Sequence, residues 1–139
     1  MVSLDRTKVT NNTAPSGGGV SMDNGVLDAV SSTLATNGES IFIMNTGSVS
    51  LNSSILWDGG TGTSIGFANP GNTNGFLGEA EFSIVDSAAV DGLSSDPMFK
   101  DADVGDHRLV VGSPGIDSGD PALGLDPDGS APDMGSHIY

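Results

Sequence analysis

The sequence has no cysteine, and that single absence removes a disulfide framework, a thiolate zinc site and a cysteine nucleophile. It is poor in aromatics, with five Phe, one Trp and one Tyr against 21 Gly and 7 Pro in 139 residues. Few large rings and many turn formers describe short elements joined by tight turns, which excludes a bundle of long amphipathic helices. Basic residues are scarcer still: four Lys and Arg stand against 18 Asp and Glu, for a formal net charge of −14. A surface of that sign repels phosphate backbones and anionic headgroups, so nucleic acid and membrane surfaces are excluded as partners. A cation is the first ligand to look for. No stretch approaches the roughly 18 apolar residues of a membrane span. The opening Met1-Val2-Ser3-Leu4-Asp5-Arg6 lacks the apolar core of a secretion signal. At 13.9 kDa the length is that of one domain.

What is present is an internal repeat. Gly19-Val20-Ser21-Met22-Asp23-Asn24-Gly25 recurs 22 residues later as Ile41-Phe42-Ile43-Met44-Asn45-Thr46-Gly47. On that register Val20 and Met22 fall on Phe42 and Met44, Leu27 and Ala29 on Val49 and Leu51, and Leu34 on Leu56. Three short alternating strands recur in each repeat, which is the content of one coil of a β-solenoid. A coil cannot bury its apolar face alone, whereas stacked coils turn equivalent inward residues into continuous ladders. Val9, Leu34, Leu56 and Val85 form one expected ladder, at separations of 25, 22 and 29 residues. The uneven gaps are turn insertions: Ala14-Pro15-Ser16-Gly17-Gly18 in the first coil, and Asp58-Gly59-Gly60 running on to Asn74-Gly75 in the third. Asn12 and Asn37 occupy matching places after Val9 and Leu34 and are expected to bond backbone groups in successive coils, with Gly59 ending that ladder.

The expected fold is therefore all-β, a right-handed parallel β-helix of about four short coils over residues 1–95. An irregular capping segment of the same domain follows over 96–139. From Asp96 onward proline and glycine dominate, and scattered Phe99, Leu109 and Ile116 suit a lid over an open apolar end.

Here the residues carry a resemblance. Asp96-Pro97-Met98-Phe99, Gly105-Asp106-His107-Arg108-Leu109, Gly112-Ser113-Pro114-Gly115-Ile116-Asp117-Ser118-Gly119, Asp126-Pro127-Asp128-Gly129 and Asp133-Met134-Gly135 together resemble the C-terminal signature of bacterial right-handed parallel β-helix repeat proteins, the pectate-lyase-like group. Asn52-Ser53-Ser54-Ile55-Leu56-Trp57 and Gly17-Gly18-Gly19-Val20 look like the repeat core of the same group. The resemblance implies the β-helix fold and an extracellular or cell-surface location in a bacterium. It implies no single activity, since such helices host lyases, hydrolases, adhesins and spacers.

Polysaccharide lyases of this fold need a basic residue beside a uronate, usually with calcium. Only Arg6, Lys8, Lys100 and Arg108 are available, the last two in the capping segment. A glycosidase needs two facing carboxyl groups. Asp23, Asp58 and Asp86 lie near coil turns, but Asn45-Thr46-Gly47 stands where polygalacturonase-like enzymes carry Asn-Thr-Asp, and no two aspartates are adjacent. No catalytic residue is assigned. His107 reads as a base or as a solvated side chain, and His137 as incidental. Trp57 faces outward if Leu56 points in, and reads either as a sugar-stacking platform or as a local packing plug.

Carboxylates at alternate positions around a glycine are the sharper feature. Asp101, Asp103 and Asp106 form one group; Asp126, Asp128 and Asp133 form the other. Both readings stand: calcium-binding loops, or Asx-turns in which each aspartate caps its own backbone.

Two functions of different class follow. One is a non-catalytic β-helix module of an exported protein that displays loops or binds glycans, polysaccharide being its partner. The other is a C-terminal fragment of a carbohydrate-active enzyme whose catalytic coils lie upstream. The first is preferred. Because no amphipathic helix precedes Leu4 and Val9, the first coil is expected to pair end to end with a second copy as a homodimer.

Overall fold

The computed structural model describes residues 1–59, 64–68, 77–87 and 90–136. The first coil comprises β1 (Val2–Asp5), β2 (Lys8–Thr10) and β3 (Val20–Met22), and the second β4 (Gly25–Val30), β5 (Thr33–Ala35) and β6 (Ile41–Ile43). The third holds β7 (Gly47–Asn52), β8 (Ile55–Trp57) and β9 (Ile65–Phe67), and the fourth β10 (Leu77–Glu81) and β11 (Ile84–Val85). The strands stack as three parallel sheets, β1-β4-β7-β10, β2-β5-β8-β11 and β3-β6-β9. The chain is a right-handed parallel β-helix of four short coils.

Inward side chains form the expected ladders. Val9, Leu34, Leu56 and Val85 are register partners in successive coils of the second sheet. Leu27 lies beside Val49 and Ala29 beside Leu51 in the first. All belong to one apolar core.

The third sheet differs from the expected register. Val20 and Met22 pair with Ile41 and Ile43, not with Phe42 and Met44. A one-residue slip in a strand exchanges its two faces, so Phe42 points outward, where Gly17 packs over it, and Met44 is exposed. Four apolar residues in succession, Ile41 to Met44, carry no alternation from which that register could be read.

Two columns of polar side chains tie the turns together. Between the first and second sheets, Thr7 N–H donates to Ser32 Oγ (3.1 Å), Ser32 N–H to Ser54 Oγ (3.1 Å) and Ser54 N–H to Ser83 Oγ (3.0 Å). The preceding residues, Arg6, Ser31, Ser53 and Phe82, all take left-handed φ values of 45–50°. Repetition of that costly conformation in every coil shows that the ladder imposes it. Beyond the second sheet, Asn37 Oδ1 accepts from Asn12 N–H (3.1 Å), as expected. The column does not end at Gly59, however. Asp58 continues it, its two oxygens accepting from Asn37 N–H (2.7 Å) and Ser40 N–H (2.8 Å).

The irregular C-terminal segment packs on the flank of the stack, against the second sheet. Residues just before it close the last coil: Val90 joins the main core, and Leu93 pairs in parallel with Ile84. The chain then forms an antiparallel hairpin, β12 (Phe99–Asp101) with β13 (Asp106–Leu109), and runs along the outer face of the second sheet. There Ile55 and Ile84 make a second apolar cluster with Leu109 and Met134, flanked by Trp57, Phe99 and Ile116. The glycine-rich signature has a structural meaning here. Gly119 N–H donates to Pro132 O (2.7 Å), Met134 N–H to Gly115 O (2.8 Å) and Gly135 N–H to Ser53 O (2.6 Å). Gly135, at φ 94°, lies so close to Thr33 Oγ1 and Ile55 that a Cβ would collide with them.

Candidate functional site

The corners of the coil are unequal. Between the first and second sheets every turn has two residues between its strands, whereas between the second and third the connections span 11–19, 36–40 and 58–64. The longer loops stack on one side. Glu39 organises them by accepting from Gly17 N–H through Oε2 (3.0 Å), which draws the first loop over the second. Residues 60–63 and the Asn74-Gly75 turn lie outside the described residues.

The tip of the β12–β13 hairpin comes up against this corner. A short 3₁₀ turn, Ala102–Val104, ends at Gly105 (φ 85°), whose carbonyl accepts from Lys8 Nζ at 3.2 Å. Between tip and corner lies an open cleft of about 300 Å³ lined by Asn11, Thr13, Thr36, Ala102 and Asp103. The side chains that line it carry an amide, two hydroxyls, a carboxylate and the methyl groups of Ala102 and the two threonines.

Behind the cleft sits His107, which is buried, not solvated. Its Nε2 is 3.1 Å from Thr36 Oγ1, and that hydroxyl also bonds the Asn11 side chain. The Phe99 ring meets the imidazole edge-on at 4.8 Å. Burial holds the His107 pKa below its usual value, so the ring is a neutral hydrogen-bonding strut near neutral pH. Thr36, at φ 53°, holds a conformation unfavourable for a β-branched residue. His137 lies outside the described residues.

The two aspartate groups are held apart, one on the hairpin and one in the terminal loop. Asp106 is bound to Arg108 through Nε (2.8 Å) and Nη2 (2.6 Å), with Lys100 at 3.7 Å, and this pairing holds its carboxyl far below the usual range. Asp128 Oδ1 accepts from Ser130 N–H (2.9 Å) in an Asx-turn. Asp133 Oδ1 accepts from Asp117 N–H (2.9 Å), and Asp126 Oδ2 from Asp133 N–H (3.0 Å). Asp101 and Asp103 are exposed on the hairpin. Among the described residues no three His, Asp or Glu side chains converge on one metal position.

Trp57 does point out of the coil, and it packs half-buried against the second apolar cluster beneath the C-terminal segment. Of the four cations, Lys100 and Arg108 serve Asp106, Lys8 holds the hairpin tip, and Arg6, among the described residues, makes an exposed contact of 3.8 Å with Asp5. Asp23 and Asp58 sit at different corners. Sequence reasoning missed Asn11, Thr13 and Thr36 as cleft residues; the one available signal was their recurrence after the ladder positions.

No protein-family profile, curated protein or solved structure matches this chain.

Proposed function

We propose that this chain is a non-catalytic module of an exported bacterial protein of the pectate-lyase-like β-helix repeat group, and that it displays loops and binds glycans at the corner between the second and third sheets. The observation that carries the reading is the inequality of the corners. Two-residue turns at one corner preserve the stack, while connections of nine, five and seven residues (11–19, 36–40 and 58–64) gather at the next beside a cleft of hydroxyl, amide and carboxylate groups. Such groups exchange hydrogen bonds with a polyol without demanding a formal charge on it. The test is calorimetric titration with neutral and amino-sugar oligosaccharides. Binding that falls at least tenfold in Thr13→Ala and Asp103→Ala, and is unchanged in Asp23→Ala, supports the corner. Failure of every oligosaccharide to bind overturns the glycan part.

We also propose a homodimer through the first coil. β1, β2 and β3 are the edge strands of their sheets, and Val2 remains 42% exposed although its register partner Leu27 is fully buried. Unpaired backbone and apolar side chains at one end are a template for association. Sedimentation equilibrium at micromolar concentration gives a dimer that Leu4→Asp dissociates; a concentration-independent 13.9 kDa species overturns it.

A further inference from the structure

The corner cleft has a hydrogen-bond polarity that is set from behind it. A threonine hydroxyl carries one hydrogen and two lone pairs. Thr36 Oγ1 meets three groups: the Ala35 carbonyl at 2.7 Å, Asn11 Oδ1, and His107 Nε2 at 3.1 Å. The two oxygens have no hydrogen to give. The Thr36 hydrogen therefore goes to one of them, and Nε2–H donates to Oγ1. That arrangement leaves Nδ1 as the bare nitrogen of the neutral ring, in accord with its burial without a hydrogen-bond partner among the described residues. The ring itself is buried and held edge-on by Phe99, so the chain of bonds starts from a fixed point.

The consequence reaches the cleft wall. With Oδ1 turned to Thr36, Asn11 has its Nδ2 left for a ligand, and Nδ2 is a pure donor. The Thr36 hydrogen is already committed. On the hairpin side the exposed Asp103 carboxylate is a pure acceptor. A matching ligand group has an acceptor at one end, a donor at the other, no net charge, and a small apolar part for the methyl groups of Ala102 and the two threonines. A carboxylate accepts from Asn11 but is repelled by Asp103 and by the net charge of −14. An ammonium pairs with Asp103 but sets donors against Asn11 Nδ2. A hydroxyl suits either wall and leaves the methyl groups uncovered.

We propose that the corner cleft recognises the acetamido group of an N-acetylhexosamine. Asn11 Nδ2 donates to its carbonyl, Asp103 accepts from its N–H, and its methyl packs on those of Ala102 and the threonines. His107 is a positioning residue that fixes this polarity through Thr36. The proposal rests on the reading of the corner as a glycan site and names the glycan.

Three β-linked tetrasaccharides that differ only at the second carbon, of N-acetylglucosamine, glucosamine and glucose, test it by calorimetric titration of the intact chain. The N-acetylated one binds at least tenfold more tightly than either of the others, and Asp103→Ala removes that advantage. Asn11→Asp suits the same left-handed backbone (φ 59°) and keeps an oxygen toward Thr36. Having no amide donor, it binds the N-acetylated tetramer at least tenfold more weakly and the glucosamine tetramer more tightly. Imidazole nitrogen chemical shifts at neutral pH place the His107 proton on Nε2. A proton on Nδ1 reverses the Thr36 bond and overturns the proposal, whether or not the Asn11 variant folds. Equal binding of the three tetramers, or preference for glucosamine or glucose, overturns it and leaves the glycan reading standing. Failure of every oligosaccharide to bind overturns both.

Discussion

The first and second sheets are built from the same repeat and have different outer faces. On β7 burial alternates residue by residue, with Gly47, Val49 and Leu51 buried and Ser48, Ser50 and Asn52 half-buried; on β5 all three residues are buried. The C-terminal segment makes the difference. It supplies Leu109 and Met134 to the outward Ile55 and Ile84, so the second sheet is packed on both sides, as parallel sheets usually are. The lesson is that a three-residue strand such as β8 is held by two cores at once, through Leu56 on one side and Ile55 on the other.

The comparison is sharpened most by the inner ladder. Leu34 is fully buried between Val9 and Leu56, so Leu34→Ala removes stability by about 3–5 kcal/mol, read as a shift in denaturation midpoint. A loss below about 1 kcal/mol would mean that the coils do not share one core. Next comes the outer face. Ile55→Ala costs about 2–4 kcal/mol because Met134 and Gly135 cover it, whereas Ser50→Ala, outward on the first sheet, stays within about 0.5 kcal/mol. Equal effects at the two positions would show that the flank is not packed.

A smaller effect belongs to the serine column. Ser54 Oγ accepts from Ser32 N–H and has its single hydrogen shared between the Asn52 and Ala29 carbonyls (2.9 and 3.1 Å), so Ser54→Ala strands a buried N–H at a cost of about 1–3 kcal/mol. Ser54→Thr, which keeps the hydroxyl, recovers part of it. Loss of the same size from both substitutions would assign the effect to crowding and not to the hydrogen bond.

These positions also show what could be read in advance. The Val9–Leu34–Leu56–Val85 ladder was legible because the gapless 22-residue repeat sets Leu34 on Leu56, and Val9 stands alone between the polar Lys8 and Thr10. The third-sheet register was not, since Ile41-Phe42-Ile43-Met44 is apolar on both faces. The serine column was invisible for a different reason: a serine before a strand reads as a solvated turn, and only the stacking of coils shows that its hydroxyl is buried. The flank position of residues 96–136 has no periodic signal at all, because its docking rests on glycines and on single apolar residues spaced irregularly. The six aspartates were legible as two groups of turn formers, whereas the closure of Asp106 on Arg108 and Lys100 was not, since it depends on the pairing of β12 with β13. The cleft lies between segments distant in sequence, 11 with 103, which no local pattern joins.

The smallest expected effect is a pH dependence, and it tests how the hairpin is held. His107 has a folded pKa below its ordinary 6.5, chiefly through burial, so the unfolded chain binds the proton more readily. Stability therefore falls as pH drops through 6.5 and stops falling below the folded value. Lys8 faces the ring from the first coil and adds repulsion to the charged form, while Asp106, the nearest carboxylate, is occupied by Arg108 and Lys100. Asp126 works in the opposite sense at lower pH: its raised pKa means the ionised carboxyl is disfavoured in the fold, and stability is regained as it protonates on the way down to 3.8. His107→Gln keeps a polar strut toward Thr36 and removes the titration. The drop in melting temperature between about pH 7.5 and about pH 5.5 should shrink in that variant, with amide exchange in β12 and β13 losing its acid sensitivity in parallel. If wild type and variant lose the same stability over that interval, the histidine is not buried in neutral form and the hairpin is held to the coils by its apolar contacts alone.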